Sequence, residues 1–293
     1  MTQSTAGDGY RRIRSKLCEL LDLLHIDVAF ERAQGDKLFY RQEGREVEVL
    51  DLVGGFGSLL LGHNHPALLA EAQAFFTRNG PTHAQASLRI PAGKLADELS
   101  RRAGGSYHVT LANSGAEAVE AAMKHALLET GGHTFVALEG GFHGKTLGAL
   151  QLTANEEYRV PFLIEGLRVL WVRPNDQAHL EEVFATAQDL AGFVFEPIQG
   201  EGGVRPIEPA FAQRAAELCA ERKIPLIADE IQCGMGRTGT FLACETLGVQ
   251  PDYITLSKAL GGGLAKISAL LVHNKRYLSD FNRRHTCTYA EDD

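Results

Sequence analysis

Two short apolar runs, each ending abruptly in charge, constrain this chain more than any other feature. Pro225-Leu226-Ile227-Ala228 leads into Asp229-Glu230-Ile231-Gln232, and Tyr253-Ile254-Thr255-Leu256 leads into Ser257-Lys258. Apolar runs of this length with polar ends are expected as buried strands of a parallel sheet. In open α/β sheets, ligands sit outside the carboxyl ends of such strands. Asp229 and Lys258 are therefore expected in one crevice. A buried acid and amine at strand ends can be a structural ion pair or a binding site, and the rest of the chain bears on the choice.

The remaining pattern extends the same architecture. From residue 93 onward, helical periodicity alternates with short apolar runs, as in βαβ units. Helices are expected at 93–102, 115–129, 178–188 and 209–222, with strands at 107–111, 134–138, 168–172, 192–195 and 268–272. Pro66 suits the first turn of a helix through Phe76. Ahead of these, apolar positions at Ile13, Leu17, Leu20, Leu21 and Leu24 repeat with helical spacing, and residues 26–50 carry weak strand signals around Gln34-Gly35-Asp36. The expected organisation is an N-terminal helix and strand segment over 1–45 and a large α/β domain over 46–293.

Bulk properties exclude several classes. A net charge of −8 with no basic block argues against nucleic acid as a partner. No apolar run reaches membrane-spanning length, and the start lacks a signal-peptide pattern, so no membrane association is expected. The five cysteines are scattered without metal or redox spacing, which reads as reduced thiols in a cytoplasmic protein. His63 and His65 have no third ligand nearby and are read as loop structure rather than a metal pair; no metal is expected.

Several strand ends carry chemistry. Asn113-Ser114-Gly115-Ala116-Glu117 lies where a strand becomes a helix, so its backbone N–H groups could cradle an anion, with Ser114 as an added donor, or Ser114 could simply cap the helix. Gly144-Lys145-Thr146 resembles the end of a P-loop, but the position that needs the first glycine is Glu139. That segment instead presents Phe142 and His143 between glycines. Glu196 and Glu201 lie beyond another strand. Gly261-Gly262-Gly263 follows Lys258. Together these meet the needs of pyridoxal phosphate (PLP): a lysine for a Schiff base, an acid at the pyridine nitrogen, a phosphate cup and an aromatic face.

The conjunction of Gly62-His63-Asn64-His65-Pro66, Asn113-Ser114-Gly115-Ala116-Glu117, Glu196-Pro197-Ile198-Gln199-Gly200-Glu201-Gly202-Gly203, Asp229-Glu230-Ile231-Gln232 and Ser257-Lys258, in that order, resembles the class III (ornithine/GABA-type) PLP-dependent aminotransferases of fold type I. The resemblance runs from about Phe30 to the end of the chain. It implies a mostly parallel central sheet flanked by helices. It also implies transfer of an amino group between an amine or amino acid and an oxo acid or aldehyde. Lys258 would be the Schiff-base lysine and Asp229 the partner of the pyridine nitrogen. Gln232 would meet the cofactor's phenolic oxygen, Ser114, Gly115 and Ala116 its phosphate, and Phe142 its ring, with His143 alongside. Glu196 would belong to the same cofactor shell. Glu201 matches the glutamate that pairs with an arginine of the C-terminal small domain and gates the substrate. Thr288 matches the threonine that reaches the phosphate of a partner subunit, which implies a homodimer with shared active sites.

Two departures accompany the resemblance. Leu264-Ala265-Lys266-Ile267 stands where many members have a proline, so Lys266 is a second lysine near the site. Family members also continue beyond the Thr288 segment into a small domain, whereas this sequence stops at Asp293. The expectation is a complete cofactor cradle with poor solubility and little turnover by these residues alone. A racemase or aminomutase on the same scaffold, and a non-catalytic fragment, stay open as alternatives.

Overall fold

The computed structural model describes residues 3–83 and 87–291, with side chains from residue 9 onward. It divides into two compact units. The smaller comprises the chain up to Leu52 together with Gly62–His65. It holds α1 (Gln3–Leu23), interrupted by a non-helical Arg14, and the antiparallel sheet β1 (Arg32–Gln34), β2 (Lys37–Gln42) and β3 (Arg45–Leu50). Gly35 and His63 exchange backbone hydrogen bonds, and the His63 ring bonds Asp51 at 2.8 Å. Gly62 sits in the left-handed region at φ +79°, and any Cβ there would lie 2.8 Å from the Gly35 carbonyl oxygen, so the position requires glycine on both counts. His63 is thus part of the loop structure of this unit.

The larger unit contains Val53–Leu61 and the chain from Pro66 onward. Its elements are α2 (Pro66–Thr77), α3 (Ile90–Arg102), β4 (Tyr107–Ala112), α4 (Gly115–Thr130), β5 (Thr134–Leu138), α5 (Leu147–Gln151), α6 (Glu156–Arg159), β6 (Arg168–Val172), α7 (Gln177–Thr186), β7 (Leu190–Phe195), β8 (Ile198–Gln199), β9 (Arg205–Pro206), α8 (Pro209–Arg222), β10 (Leu226–Asp229), β11 (Tyr253–Leu256) and β12 (Ser268–His273). Seven strands form one sheet in the order β4-β12-β11-β10-β7-β5-β6. The pairs β11–β10, β10–β7, β7–β5 and β5–β6 are parallel, whereas β12 runs antiparallel to both β11 and β4.

Burial explains why the strands are unbroken apolar runs. Every residue of β5, β7, β10 and β11 is buried, because both faces of the sheet are covered. One cover is an aliphatic and aromatic cluster in which Phe184 of α7 and Phe211 and Leu218 of α8 pack with Phe193 and Phe195 of β7. Another is built around Val119, Met123 and Ala126 of α4, with Phe135, Leu270 and Phe281. Two antiparallel steps separate β4 from β11, so β4, β5, β7, β10 and β11 all present their carboxyl ends to the same edge. Antiparallel neighbours need no helical crossover. The chain between β11 and β12 is accordingly a return loop, and this loop carries Lys258 and the glycine run. Among the described residues, no helix is long and apolar enough to cross a membrane.

Candidate active site

The carboxyl ends of these strands surround a cavity of about 230 Å³. Gly115, Ala116, Phe142, His143, Glu196, Glu201, Asp229, Gln232 and Lys258 all line it. Ser114 and Thr288 do not. Asp229 is the last residue of β10 and is only 4% exposed. Its Oδ1 accepts from the Thr255 hydroxyl at 3.2 Å and the Ile231 N–H at 3.1 Å, and its Oδ2 accepts from His143 Nδ1 at 2.7 Å. Register supplies the first contact, since Asp229 pairs with Thr255 across β10 and β11. The His143 ring is fully buried, and its Nε2 has no hydrogen-bond partner among the described residues. Burial opposes charge on this ring, but the hydrogen bond and charge of Asp229, with the charge of Glu196, outweigh it and raise its pKa.

Glu196 follows β7 and accepts from the Phe142 N–H at 2.9 Å and the Gly200 N–H at 3.3 Å. Burial pushes its pKa up to about 7; the His143 charge opposes the rise and the Asp229 charge adds to it. Lys258 opens the short 3₁₀ turn Lys258–Gly261 at φ +45°, a left-handed conformation uncommon for a residue with a Cβ. Burial lowers its pKa against the opposing charges of Asp229, Glu196 and Glu201. The amine is thereby more readily freed of its proton than an exposed lysine. Lys266 is exposed and does not line the cavity.

The start of α4 is built as a close approach. A Cβ on Gly115 would lie 2.9 Å from Ile231 Cδ1, and one on Gly144 would lie 2.7 Å from the Ala116 Cβ. Side chains are excluded there, so a ligand group could come near the backbone N–H groups of the first helical turn, which lack intrahelical partners. Ser114 caps this helix: its hydroxyl accepts from the Glu117 N–H at 3.4 Å, and the Glu117 carboxylate accepts from the N–H groups of Ser114 and Asn113. Those two amides are engaged, whereas Gly115 and Ala116 line the cavity within the first turn of α4. One amide hydrogen of Gln232 is taken by the Phe56 carbonyl at 3.1 Å.

Other motifs resolve into structure. Lys145 lies over the Tyr158 ring at 3.4 Å, and the Thr146 hydroxyl donates to Glu120 at 2.7 Å, so Gly-Lys-Thr forms no nucleotide loop. Glu230, next to Asp229, turns the other way and accepts from the N–H groups of Ala243 and Cys244 and from the Cys233 thiol. Two supporting groups escaped the sequence reading: Thr255, and Thr153, whose hydroxyl accepts from the His143 N–H and donates to the Gly144 carbonyl. Thr255 is legible in retrospect, as a polar residue in a buried strand level with Asp229.

The sequence matches the family described as Aminotransferase class-III over residues 22–292. The chain belongs to this family. Among curated relatives, it is 39% identical over 261 residues to the aminotransferase PigE of Serratia sp., a match that covers 88% of this chain and 30% of that protein. It is also 39% identical over 269 residues to a putrescine aminotransferase of Pectobacterium atrosepticum, covering 88% of this chain and 57% of the relative. It thus spans less than two thirds of either relative. Among solved structures, the ornithine aminotransferase of Toxoplasma gondii ME49 superposes with a TM-score of 0.80 at 26% identity, covering 100% of this chain and 72% of that one. A PLP-bound amine transaminase from an uncultivated Pseudomonas species gives 0.80 at 27% identity, covering 91% and 68%. The class III membership and these neighbours identify the large unit as a fold-type-I scaffold, with PLP as the family's cofactor.

Proposed function

We propose that the protein is a PLP-dependent aminotransferase that moves an amino group between an amine or amino acid donor and an oxo acid or aldehyde acceptor. The observation that carries this reading is a lysine of lowered pKa and a buried, histidine-bonded aspartate lining one cavity. When bound, the cofactor supplies an electron-withdrawing ring that stabilises negative charge on the carbon that loses its proton. Asp229 holds a positive charge at the ring nitrogen, and His143 and Thr255 hold Asp229 ionised and oriented. Phe142 covers the ring, and Gln232 addresses its phenolic oxygen. Glu196 ties the Phe142 loop to the Gly200 turn.

Lys258 Nζ would hold the cofactor covalently, and as a free amine it would be the base that takes the proton from the substrate carbon and returns it. The N–H groups of Gly115 and Ala116 bind the phosphate at the α4 N-terminus, with Ser114 fixing the turn as its cap. Thr288 serves the phosphate of a partner subunit, so the working form is a homodimer with shared sites. The five free, scattered cysteines support a cytoplasmic setting.

Borohydride reduction of the cofactor-treated protein followed by peptide mapping tests the anchor. The pyridoxyl label is expected on Lys258 and absent from the Lys258→Ala variant, while Lys266→Ala retains it. Label on Lys266 would overturn the assignment. Dependence of turnover on an added oxo acid separates transfer from isomerisation.

A further inference from the structure

The return loop that carries Lys258 is closed at its neck by a side chain. The β11–β12 ladder ends with Leu256 opposite Ala269. The next residues on the two chains are Ser257 and Ser268, and both are buried. The Ser257 hydroxyl donates to the Ile267 carbonyl at 2.9 Å, a cross-chain bond just where the backbone ladder gives out. The Ser268 hydroxyl has no hydrogen-bond partner among the described residues. Ser257 lines the cavity beside Lys258.

The rest of the loop is held by its own backbone and by packing. The Leu260 N–H donates to the Ser257 carbonyl at 2.9 Å, and the Leu264 and Ala265 N–H groups donate to the Gly261 carbonyl at 3.0 Å. Gly262 and Gly263 are both left-handed. A Cβ there would lie 2.6 Å from Leu68 Cδ1 of α2 and 2.3 Å from Leu59 Cδ2, so the far end of the loop is seated where only glycine fits. Lys258 stands between this seat and the neck at φ +45°. A residue with a Cβ keeps such a conformation only where its surroundings impose it. Of the restraints on Lys258, the clasp at the neck is the one made by a side chain.

We propose that Ser257 is a positioning residue for Lys258: its bond to the Ile267 carbonyl holds the lysine backbone in the left-handed region and so presents Nζ to the cavity. The inference rests on Lys258 as the covalent anchor and names what aims it. In the step concerned, the neutral Lys258 amine adds to the aldehyde carbon of PLP. A C–N double bond replaces the C–O double bond, and both amine hydrogens leave with the oxygen as water. The rate of that step depends on how often the amine is held in line with the carbon. Without the clasp, the backbone of Lys258 relaxes and the amine is presented less often.

The test mixes cofactor-free protein with PLP and follows the absorption band of the covalent linkage. Affinity for 4′-deoxypyridoxine 5′-phosphate, which lacks the aldehyde, measures binding without the bond. Ser257→Ala is expected to slow capture about 10-fold, the scale of one hydrogen bond, with affinity for the deoxy analogue unchanged. Capture needs the neutral amine, and burial lowers the pKa of Lys258. A relaxed, better solvated Lys258 should therefore move the midpoint of the capture rate to higher pH, which a general loosening of the fold would not do. Ser268→Ala removes an equally buried hydroxyl that holds nothing, and it should capture PLP at the parental rate. Parental capture with an unmoved midpoint in Ser257→Ala would overturn the proposal. So would equal slowing by Ser268→Ala, or an equal loss of affinity for the deoxy analogue in Ser257→Ala. In each of those cases Lys258 remains the anchor. Absence of capture by the unsubstituted protein, or label on Lys266, would overturn the anchor as well.

Discussion

The two ends of β10 and β11 handle charge in opposite ways. At the amino end, Arg276 bonds Glu129 at 2.6 Å, Asp252 at 2.7 Å and the Ile224 carbonyl at 3.0 Å. Asp252 also accepts from the Leu226 N–H at 3.0 Å. The Tyr253 hydroxyl donates to Glu129 and contacts His125 Nδ1 at 2.6 Å, and His125 Nε2 accepts from the Leu278 N–H at 3.2 Å. Burial keeps His125 neutral by lowering its pKa to about 4. Each of these groups has its partner inside the fold. At the carboxyl end, three carboxylates meet one lysine and one histidine, His143 Nε2 is left alone, and the pKa values of Glu196 and Lys258 move toward each other. One end uses its charges to fasten α4 and the chain after β12 to the sheet. The other keeps charges incompletely matched, which costs stability and suits a ligand that completes the set.

Asp229→Asn should produce the largest effect. Amino transfer is expected to fall by about a hundredfold to a thousandfold, the cost of losing a preorganised charge that acts in the transition state. The melting temperature of the cofactor-free protein should fall only modestly, because the amide keeps a hydrogen bond to His143 while the ring loses its buried counter-charge. Near-normal turnover with a large loss of stability would make this end a structural ion site like the other. Arg276→Ala should do the reverse. It leaves Glu129 and Asp252, both half-buried, without their cation, and denaturant unfolding is expected to show a loss of about 2 kcal/mol, below that for fully buried pairs. Cofactor affinity at a temperature where the variant stays folded should match that of the unsubstituted protein. A selective loss of cofactor binding would erase the contrast between the two ends.

Much of this was legible because the central strands are covered on both faces. Thr134–Leu138 and Leu226–Asp229 read as strands with the right ends, and α8 over Pro209–Arg222 was set by Pro209 and helical periodicity. The antiparallel direction of β12 was not legible, since a buried run has no mark of direction. The β1–β3 sheet is largely exposed, so its alternation is weak. Asp229 and Lys258 could be paired from their strand ends alone. The bond between His143 and Asp229 joins residues 86 positions apart and depends on β7 lying between β5 and β10. The capping of α4 was visible in principle as Ser114 followed three positions later by Glu117. In that cap the Ser114 oxygen accepts from the Glu117 N–H, which leaves the hydroxyl hydrogen free to donate.

The smallest effect tests the unmatched charge directly through pH. An acid whose folded pKa lies above its unfolded value binds its proton more tightly when folded, so its contribution to stability falls as pH rises between the two values. For Glu196 that window runs from the ordinary carboxylate value of 4.5 to about 7. His143 adds to the same trend, because its raised pKa stabilises the fold below 6.5 and the gain is lost as pH climbs through the folded value. His125 acts oppositely: its lowered pKa costs stability as pH falls from 6.5 toward about 4. Glu196→Gln removes the first and weakens the second, because the Glu196 charge helps to raise the His143 pKa. The cofactor-free variant should therefore be more stable than the parent at pH 8, by roughly 1–2 kcal/mol, and the difference should vanish near pH 4.5. A Glu196→Gln variant that is less stable at pH 8 would mean that the carboxylate's bonds to the Phe142 and Gly200 N–H groups outweigh its burial. The carboxyl end would then be held together by its charges in the same way as the amino end.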